Sequence, residues 1–366
     1  MSFIKSPRFI FTFAVICFLS TSALLFQYDS FSIRSRSTHV VVSEVGTPRG
    51  PYASSYGKGT HWRDWANIDH VFIFGDSWTT TGFEIDDAQP TVNNPLGNPD
   101  WDPRNWHLGA GTNWVGFITA WHNASLLRTV NLAYGGATVD MDLIHPFEEI
   151  PPGMRDLGHQ VNELFKPKYA MHPDYFNWTD ASSLFVVWIG LNDIHNANAN
   201  NSMRFGMVWE QFAIRIEQLY GMGARNFMFL SVPPIDKAPL AAHENMTDNW
   251  RHWVNAWNKN LTTLVSDLTH AHSDTMAFVF DTHSLYNDVL EDPCSFEATC
   301  AFKDTTTACV WYAWGTDEWD SKNENCTYRV DQYLWMNPIH PTTRMHNLTA
   351  LQMAKALSAD LAVDLQ

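Results

Sequence analysis

The chain has 366 residues and a mass of 41.8 kDa, and 45% of it is apolar, enough for one large core or two small ones. Against 39 Asp and Glu stand 23 Lys and Arg, so the formal charge is −16, a field that repels phosphate backbones and argues against a nucleic-acid partner. Neither repeats nor low-complexity tracts occur, which removes solenoid, collagen-like and disordered classes.

Lys5 and Arg8 precede an uncharged apolar run, Phe9–Phe26, with Thr21 and Ala23 small enough for a cleavage site. Residues 1–26 therefore read as a secretory signal peptide, or as a membrane anchor if uncleaved, since the run is near the spanning minimum. Either way the remainder is exported, and membrane contact is expected only through an uncleaved anchor. Residues 27–62 are polar, Ser/Gly-rich and aperiodic, and are expected to form a linker or extended arm.

Strand-length apolar runs then alternate with helical patterns through residues 63–366. Val71–Phe74, Thr129–Ala133, Leu184–Ile189, Phe227–Val232 and Ala277–Asp281 are the strand candidates. Helices are predicted at Asn113–His122, Met154–Phe165, Val208–Tyr220, Asp248–His270 and about Thr342–Leu365. This alternation predicts an α/β fold, a five-stranded parallel sheet covered by helices on both faces in a three-layer α/β/α sandwich. Ligands of such sheets bind at the C-terminal strand ends, so chemistry is sought there.

The residues after the first three strands carry polar signals. Gly75-Asp76-Ser77 turns off the first strand and presents a hydroxyl. Tyr134-Gly135-Gly136-Ala137-Thr138 follows the second strand, and paired glycines leave backbone N–H groups free to meet an anion. Gly190-Leu191-Asn192-Asp193 follows the third, offering a side-chain amide. A nucleophilic serine needs a base, and His340 stands out among 16 histidines in the Pro-flanked segment Asn337-Pro338-Ile339-His340-Pro341 just before the last helix. No zinc-protease, EF-hand or P-loop pattern occurs, and Gly109-Ala110-Gly111 lacks the third glycine of a dinucleotide fingerprint, so no metal or cofactor is expected.

Cys294, Cys300, Cys309 and Cys326 lie within 33 residues, and in an exported chain they suggest two local disulfides stapling an insertion at about 294–326, with the pairing open. Seven Asn-x-Ser/Thr sequons, at Asn123, Asn177, Asn200, Asn245, Asn260, Asn325 and Asn347, are glycosylation candidates on surface loops.

Taken together, the blocks FIFGDSWTTTGF (Phe72–Phe83), NPLGNP (Asn94–Pro99), NLAYGGATVD (Asn131–Asp140), IGLND (Ile189–Asp193), FLSVPPID (Phe229–Asp236) and NPIHPT (Asn337–Thr342) resemble the GDSL-type SGNH hydrolases. The chain resembles more closely the fungal acetylesterases of carbohydrate esterase family 16, from Val71 to about Ala350. The resemblance implies the flavodoxin-like SGNH fold and a secreted serine esterase that removes acetyl groups from carbohydrate, or cleaves other short-chain esters, through an acyl-serine intermediate. It implies Ser77 as nucleophile, His340 as general base, and an oxyanion hole of the Ser77 and Gly135 N–H groups with the Asn192 amide. Asp76 and Asp193 read as loop-fixing carboxylates. Trp78 and, in the loop Gln89–Gly111, Trp106 are expected to contact substrate. The pattern normally reads Asp-x-x-His, and here Asn337 stands in the position of the Asp. Three readings follow: a Ser77–His340 dyad oriented by Asn337 or main chain, another carboxylate such as Asp331 in its place, or reduced activity. The rival functions are a lipase or phospholipase of the same superfamily and a non-catalytic glycan-binding relative.

Overall fold

A computed structural model of the protein describes residues 47–48, 50–99, 111–146, 150, 152–197 and 204–359. The expected leader, Trp106, Asn200 and the far end of the closing helix lie outside the described residues.

In chain order the strands are β1 (Thr47–Pro48), β2 (Ala53–Tyr56), β3 (His70–Gly75), β4 (Arg128–Asn131), β5 (Ser183–Trp188), β6 (Asn226–Leu230) and β7 (Met276–Phe280). They form one sheet in the order β1-β2-β7-β6-β5-β3-β4. The five expected strands are the parallel set, β4-β3-β5-β6-β7. Every residue of β3, β5 and β6 is buried, which is why they read as unbroken apolar runs rather than alternating ones.

Two strands were not expected. Part of the segment read as a linker or arm forms β2, which pairs antiparallel with β7 from Ala53↔Phe280 to Tyr56↔Ala277 and takes β1 on its outer side. The sheet therefore has seven strands, not five, and β2 covers an edge of β7 whose backbone groups would otherwise be unpaired. The correction has a plain cause. Ala-Ser-Ser-Tyr is short and half polar, and it pairs through main chain, so no apolar pattern marks it.

The predicted helices are found at Trp114–Ala120, 157–168, Arg204–Gly221, Thr247–Ala271 and Thr343–Ser358. Asn113 caps the first by accepting the Val115 N–H, worth about 1 kcal/mol. Between 157 and 168 the middle turn, Gln160–Phe165, is a π-helix. Both disulfides are local, Cys294–Cys300 and Cys309–Cys326. The second bridge belongs to a small apolar cluster of its own, Tyr312, Cys326, Val330 and Tyr333, separate from the main core.

The connections run both ways from the middle of the sheet. Chain leaving β3 goes to β4 on one side, and chain leaving β5 goes to β6 on the other. The crevice between the C-terminal ends of β3 and β5 is thus the topological switch point, where open α/β sheets bind ligands. The parallel register puts Gly75 beside Trp188, so both strands end level.

Candidate active site

Ser77 follows β3 by two residues. The strand needs glycine at its last position because a Cβ on Gly75 would lie 2.5 Å from the Trp188 carbonyl oxygen. The turn beyond is held at several points. Thr79 and Thr80 donate their N–H groups to the Asp76 carbonyl at 3.1 and 2.9 Å, and the Trp78 N–H reaches the Asp76 carboxyl at 3.0 Å. From outside, the Asn131 amide donates to Thr79 O at 2.7 Å, and the Asn113 amide donates to Thr79 O and Thr80 O. Gln160, buried in the π-turn, closes a two-point clamp on Gly75: its oxygen takes the Gly75 N–H at 2.9 Å and its NH₂ donates to Gly75 O at 2.8 Å. π-turns inside helices are often found at functional sites. Gln160 escaped the sequence reading because a polar residue 85 positions away gives no local signal.

His340 reaches this turn from the far end of the chain. Residues 334–342 form a tight loop in which the Met336 N–H donates to His340 O and the Thr342 N–H to Leu334 O. The His340 Nε2 atom lies 2.8 Å from Ser77 Oγ, and Nδ1 lies 2.9 Å from Asn337 Oδ1. The same Asn337 oxygen accepts the N–H groups of Ile339 and His340 at 3.1 and 2.8 Å. Those two backbone donors force the oxygen, not the NH₂, to face the ring. His340 Nδ1 must then carry its proton, and Nε2 is left with a lone pair toward the Ser77 hydroxyl. A hydroxyl so placed can pass its proton to imidazole as it attacks an electrophile.

Asp331, the carboxylate considered in place of Asn337, is committed elsewhere. It is fully buried and pairs with Arg344 at 2.7 Å and Arg329 at 2.9 Å. It therefore anchors two cations, and Asn337 is the side chain bonded to Nδ1.

The expected anion-binding loop lies against Ser77. A Cβ placed on Gly135 would be 3.9 Å from the Ser77 Cβ. The loop is fastened from two sides: the Tyr134 N–H donates to Gly75 O, and Asn192 and Asp193 hold its far end. The Asn192 NH₂ donates to Ala137 O at 3.0 Å, and both Asp193 carboxyl oxygens accept the Val139 N–H. Gly190, just before them, has φ +120°, and a side chain there would overlap Trp257. Asp76 and Asp193 act as the loop-fixing groups read from the sequence. Burial pushes the Asp76 carboxyl up to about 7 and, with the Asp76 and Asp156 charges adding, Asp193 up to about 8.

One expected substrate contact is corrected. Trp78 is 1% exposed and packs edge-on against Trp188 at 5.5 Å, with Tyr286 and Trp335 beside it. Its ring is core beneath the turn, because the residue after Ser77 points back into the sheet layer. Trp106 lies outside the described residues. No group of three or more His, Cys, Asp or Glu able to hold a metal ion occurs among the described residues.

A family model described as GDSL-like Lipase/Acylhydrolase matches residues 71–353. An acetylesterase of Thermothelomyces thermophilus is 31% identical over 295 residues, 78% of this chain and 87% of that protein. The thermolabile hemolysin of Vibrio parahaemolyticus is 24% identical over 298 residues, 79% of this chain and 64% of that protein. Among solved structures, a variant of an acetyl xylan esterase from Geobacillus stearothermophilus aligns with 13% identity and a TM-score of 0.42, covering 81% of this chain and 98% of its own.

Proposed function

Because the chain belongs to the GDSL-like lipase/acylhydrolase family and is a carboxylic ester hydrolase, we propose that it is a secreted acetylesterase acting on acetylated carbohydrate. The observation that carries the reading is the bonded series Ser77–His340–Asn337 at the switch point of the sheet. The acetyl preference is supported by the 31% identical acetylesterase, most of whose length this chain covers. Export is supported by the two disulfides, which persist in oxidising compartments.

In this reading Ser77 Oγ attacks the acetyl carbonyl carbon while its proton moves to His340 Nε2. The carbonyl oxygen becomes an oxyanion facing the Ser77 and Gly135 N–H groups and the Asn192 amide. Each such donor is worth about 3–4 kcal/mol, because the charge it meets appears only as the reaction proceeds. The bond to the sugar oxygen then breaks, and that oxygen takes the proton from His340. Water, deprotonated by His340, attacks the acetyl-Ser77 ester, and acetate leaves as Oγ regains its proton. Asn337 holds the imidazole in the working tautomer throughout but lends no negative charge to the imidazolium.

The test is acetate release by the full chain from acetylated xylooligosaccharides, set beside 4-nitrophenyl esters of increasing chain length. Acetyl esters are expected to be turned over fastest, and Ser77→Ala to stay folded and lose turnover. A preference for octanoyl or longer esters, or a folded Ser77→Ala protein that works at the parent rate, would overturn the reading.

A further inference from the structure

Most described indoles are core: Trp65, Trp78, Trp114, Trp178, Trp250, Trp257 and Trp335 are fully buried, and Trp62 and Trp188 nearly so. Four described ones are exposed, Trp121, Trp311, Trp314 and Trp319, and the last three fall inside the loop closed by Cys309–Cys326. Two of the four, Trp121 at 49% and Trp319 at 43% exposure, line one cavity of about 400 Å³. We propose that this cavity is a subsite for sugar rings of the substrate backbone, apart from the acetyl group that is cut. The proposal rests on the acetylesterase reading above.

Both walls are held in place. The Arg344 guanidinium lies over the Trp319 ring at 5.0 Å, a cation–π contact. Arg344 is itself fixed, since Nε donates to Asp331 O at 3.0 Å and Nη2 to the Asp331 carboxylate at 2.7 Å. Buried Asp331, shared with Arg329, is thus the anchor of this wall. On the other side Trp121 packs on Phe117, ring centres 5.2 Å apart. Phe117 lies in the middle of the helix that Asn113 caps, and Trp121 is the residue that ends it.

The lining matches a sugar better than an acyl chain. Indole faces suit the C–H face of a pyranose ring. Glu318 and Asn347, which line the same cavity, supply a carboxylate acceptor and an amide for hydroxyl groups. The subsite requires Asn347, a sequon residue, to be unglycosylated; it lies half-buried in the closing helix with its oxygen bonded to His122 Nε2 at 2.7 Å, so its NH₂ is the half directed to donate. An alkyl chain would leave these groups desolvated without partners. An anionic ligand is disfavoured as well, because the Arg344 charge is matched by Asp331 and the chain carries −16. The volume falls at the small end of ligand sites, about 300–1,000 Å³. Thr343, three positions after His340, lines the cavity and donates its hydroxyl to Thr112 O at 2.7 Å, and the next residue, Asn113, donates to Thr79 O and Thr80 O in the turn that carries Ser77.

The experiment compares the full, disulfide-intact parent with Trp319→Ala, Trp121→Ala and Trp319→Phe. Kinetics are read on acetylated xylotetraose and on 4-nitrophenyl acetate, and binding of unacetylated xylotetraose by calorimetry. Each Ala variant is expected to raise KM for the saccharide about tenfold with kcat little changed, and to weaken xylotetraose binding likewise, the loss typical of a truncated aromatic anchor. Turnover of 4-nitrophenyl acetate should stay at the parent level, and Trp319→Phe should recover most of the loss. Parent-like kinetics on the saccharide, or equal loss on both esters, would overturn the subsite. So would a shift in acyl chain-length preference, which would make the cavity an acyl site. If the parent releases no acetate from any saccharide, the acetylesterase reading fails, and the cavity is then judged by xylotetraose alone. Binding lost in both Ala variants upholds it, and no binding by the parent overturns it.

Discussion

Asn337 is the residue on which the site departs from its family pattern, and its geometry limits what that departure costs. In a serine-protease triad, changing Asp to Asn lowers kcat by about 10⁴ because the imidazole takes the wrong tautomer. Here the Ile339 and His340 N–H groups already hold the Asn337 oxygen toward Nδ1, so the tautomer is right and only the charge is missing. Asn337→Ala removes one acceptor from three donors, and kcat should fall, yet by well under that ~10⁴. Asn337→Asp should raise kcat, since three N–H donors would hold the new carboxylate ionised although position 337 is only 8% exposed. That carboxylate raises the His340 pKa, and the base must be deprotonated to act. The acid limb of kcat/KM should therefore move to higher pH in Asn337→Asp. A limb that stays put or moves lower would show that no charge reaches His340. The Asn337–His340 pair was visible in sequence because both sit in one short loop three residues apart. That Asp331 would be drawn off by Arg329 and Arg344 was not, since the arginine at 344 comes from the following helix.

At the scale of elements, the turn after β3 and the loop after β4 owe their shape to side chains from other elements. Gln160 is the clearest case. Gln160→Leu keeps the volume but takes the partner from the buried Gly75 N–H, costing about 1–3 kcal/mol, and leaves the Gly75 C=O to the Tyr134 N–H. Thermal stability should fall, and kcat should fall with it, because the clamp sits two residues before Ser77. A variant with lowered stability and unchanged kcat would limit Gln160 to a structural part. Asp193 gives a pH signature. Burial raises its carboxyl to about 8 in the folded protein against 3.8 for a free aspartate side chain, so the folded state holds the proton more tightly. Stability from this group is complete below about pH 4 and is lost as pH rises through about 8. Asp193→Asn removes that loss and can still accept the Val139 N–H. Its melting temperature should therefore rise relative to the parent between pH 5 and pH 8, and a difference that does not change with pH would refute the assignment. Continuous apolar runs made the five parallel strands readable, and strand ends pointed to Ser77, Gly135 and Asn192. The clamp was not readable, because its partners are joined only by the fold.

Over the whole molecule the hardest feature to read was where the folded body begins. A polar stretch without periodicity carries the signature of a linker, yet Ala53–Tyr56 lies in the sheet with Ala53 and Tyr56 buried. Its stabilisation comes from the β7 ladder and from neighbours remote in sequence. The Tyr52 hydroxyl donates to the Asp288 carboxylate at 2.5 Å, and the Asp281 N–H donates to Tyr52 O at 2.7 Å. Trp62 packs edge-on against Phe278 of β7 with ring centres 4.8 Å apart. A chain beginning at residue 63 would lose all of these and bare the β7 edge, whose Phe278 and Phe280 flank unpaired main-chain groups. A chain beginning at residue 43, where the compact unit starts, keeps them. Expressed side by side with the disulfides formed, the longer form should be soluble and melt like the full chain. The shorter one should melt several degrees lower, since about 1 kcal/mol already shifts a domain of this size by ~2–4 °C, and should aggregate through the open edge. Equal melting temperatures and equal solubility would return 27–62 to the status of a linker and leave β2 as an ornament on a sheet that is complete without it.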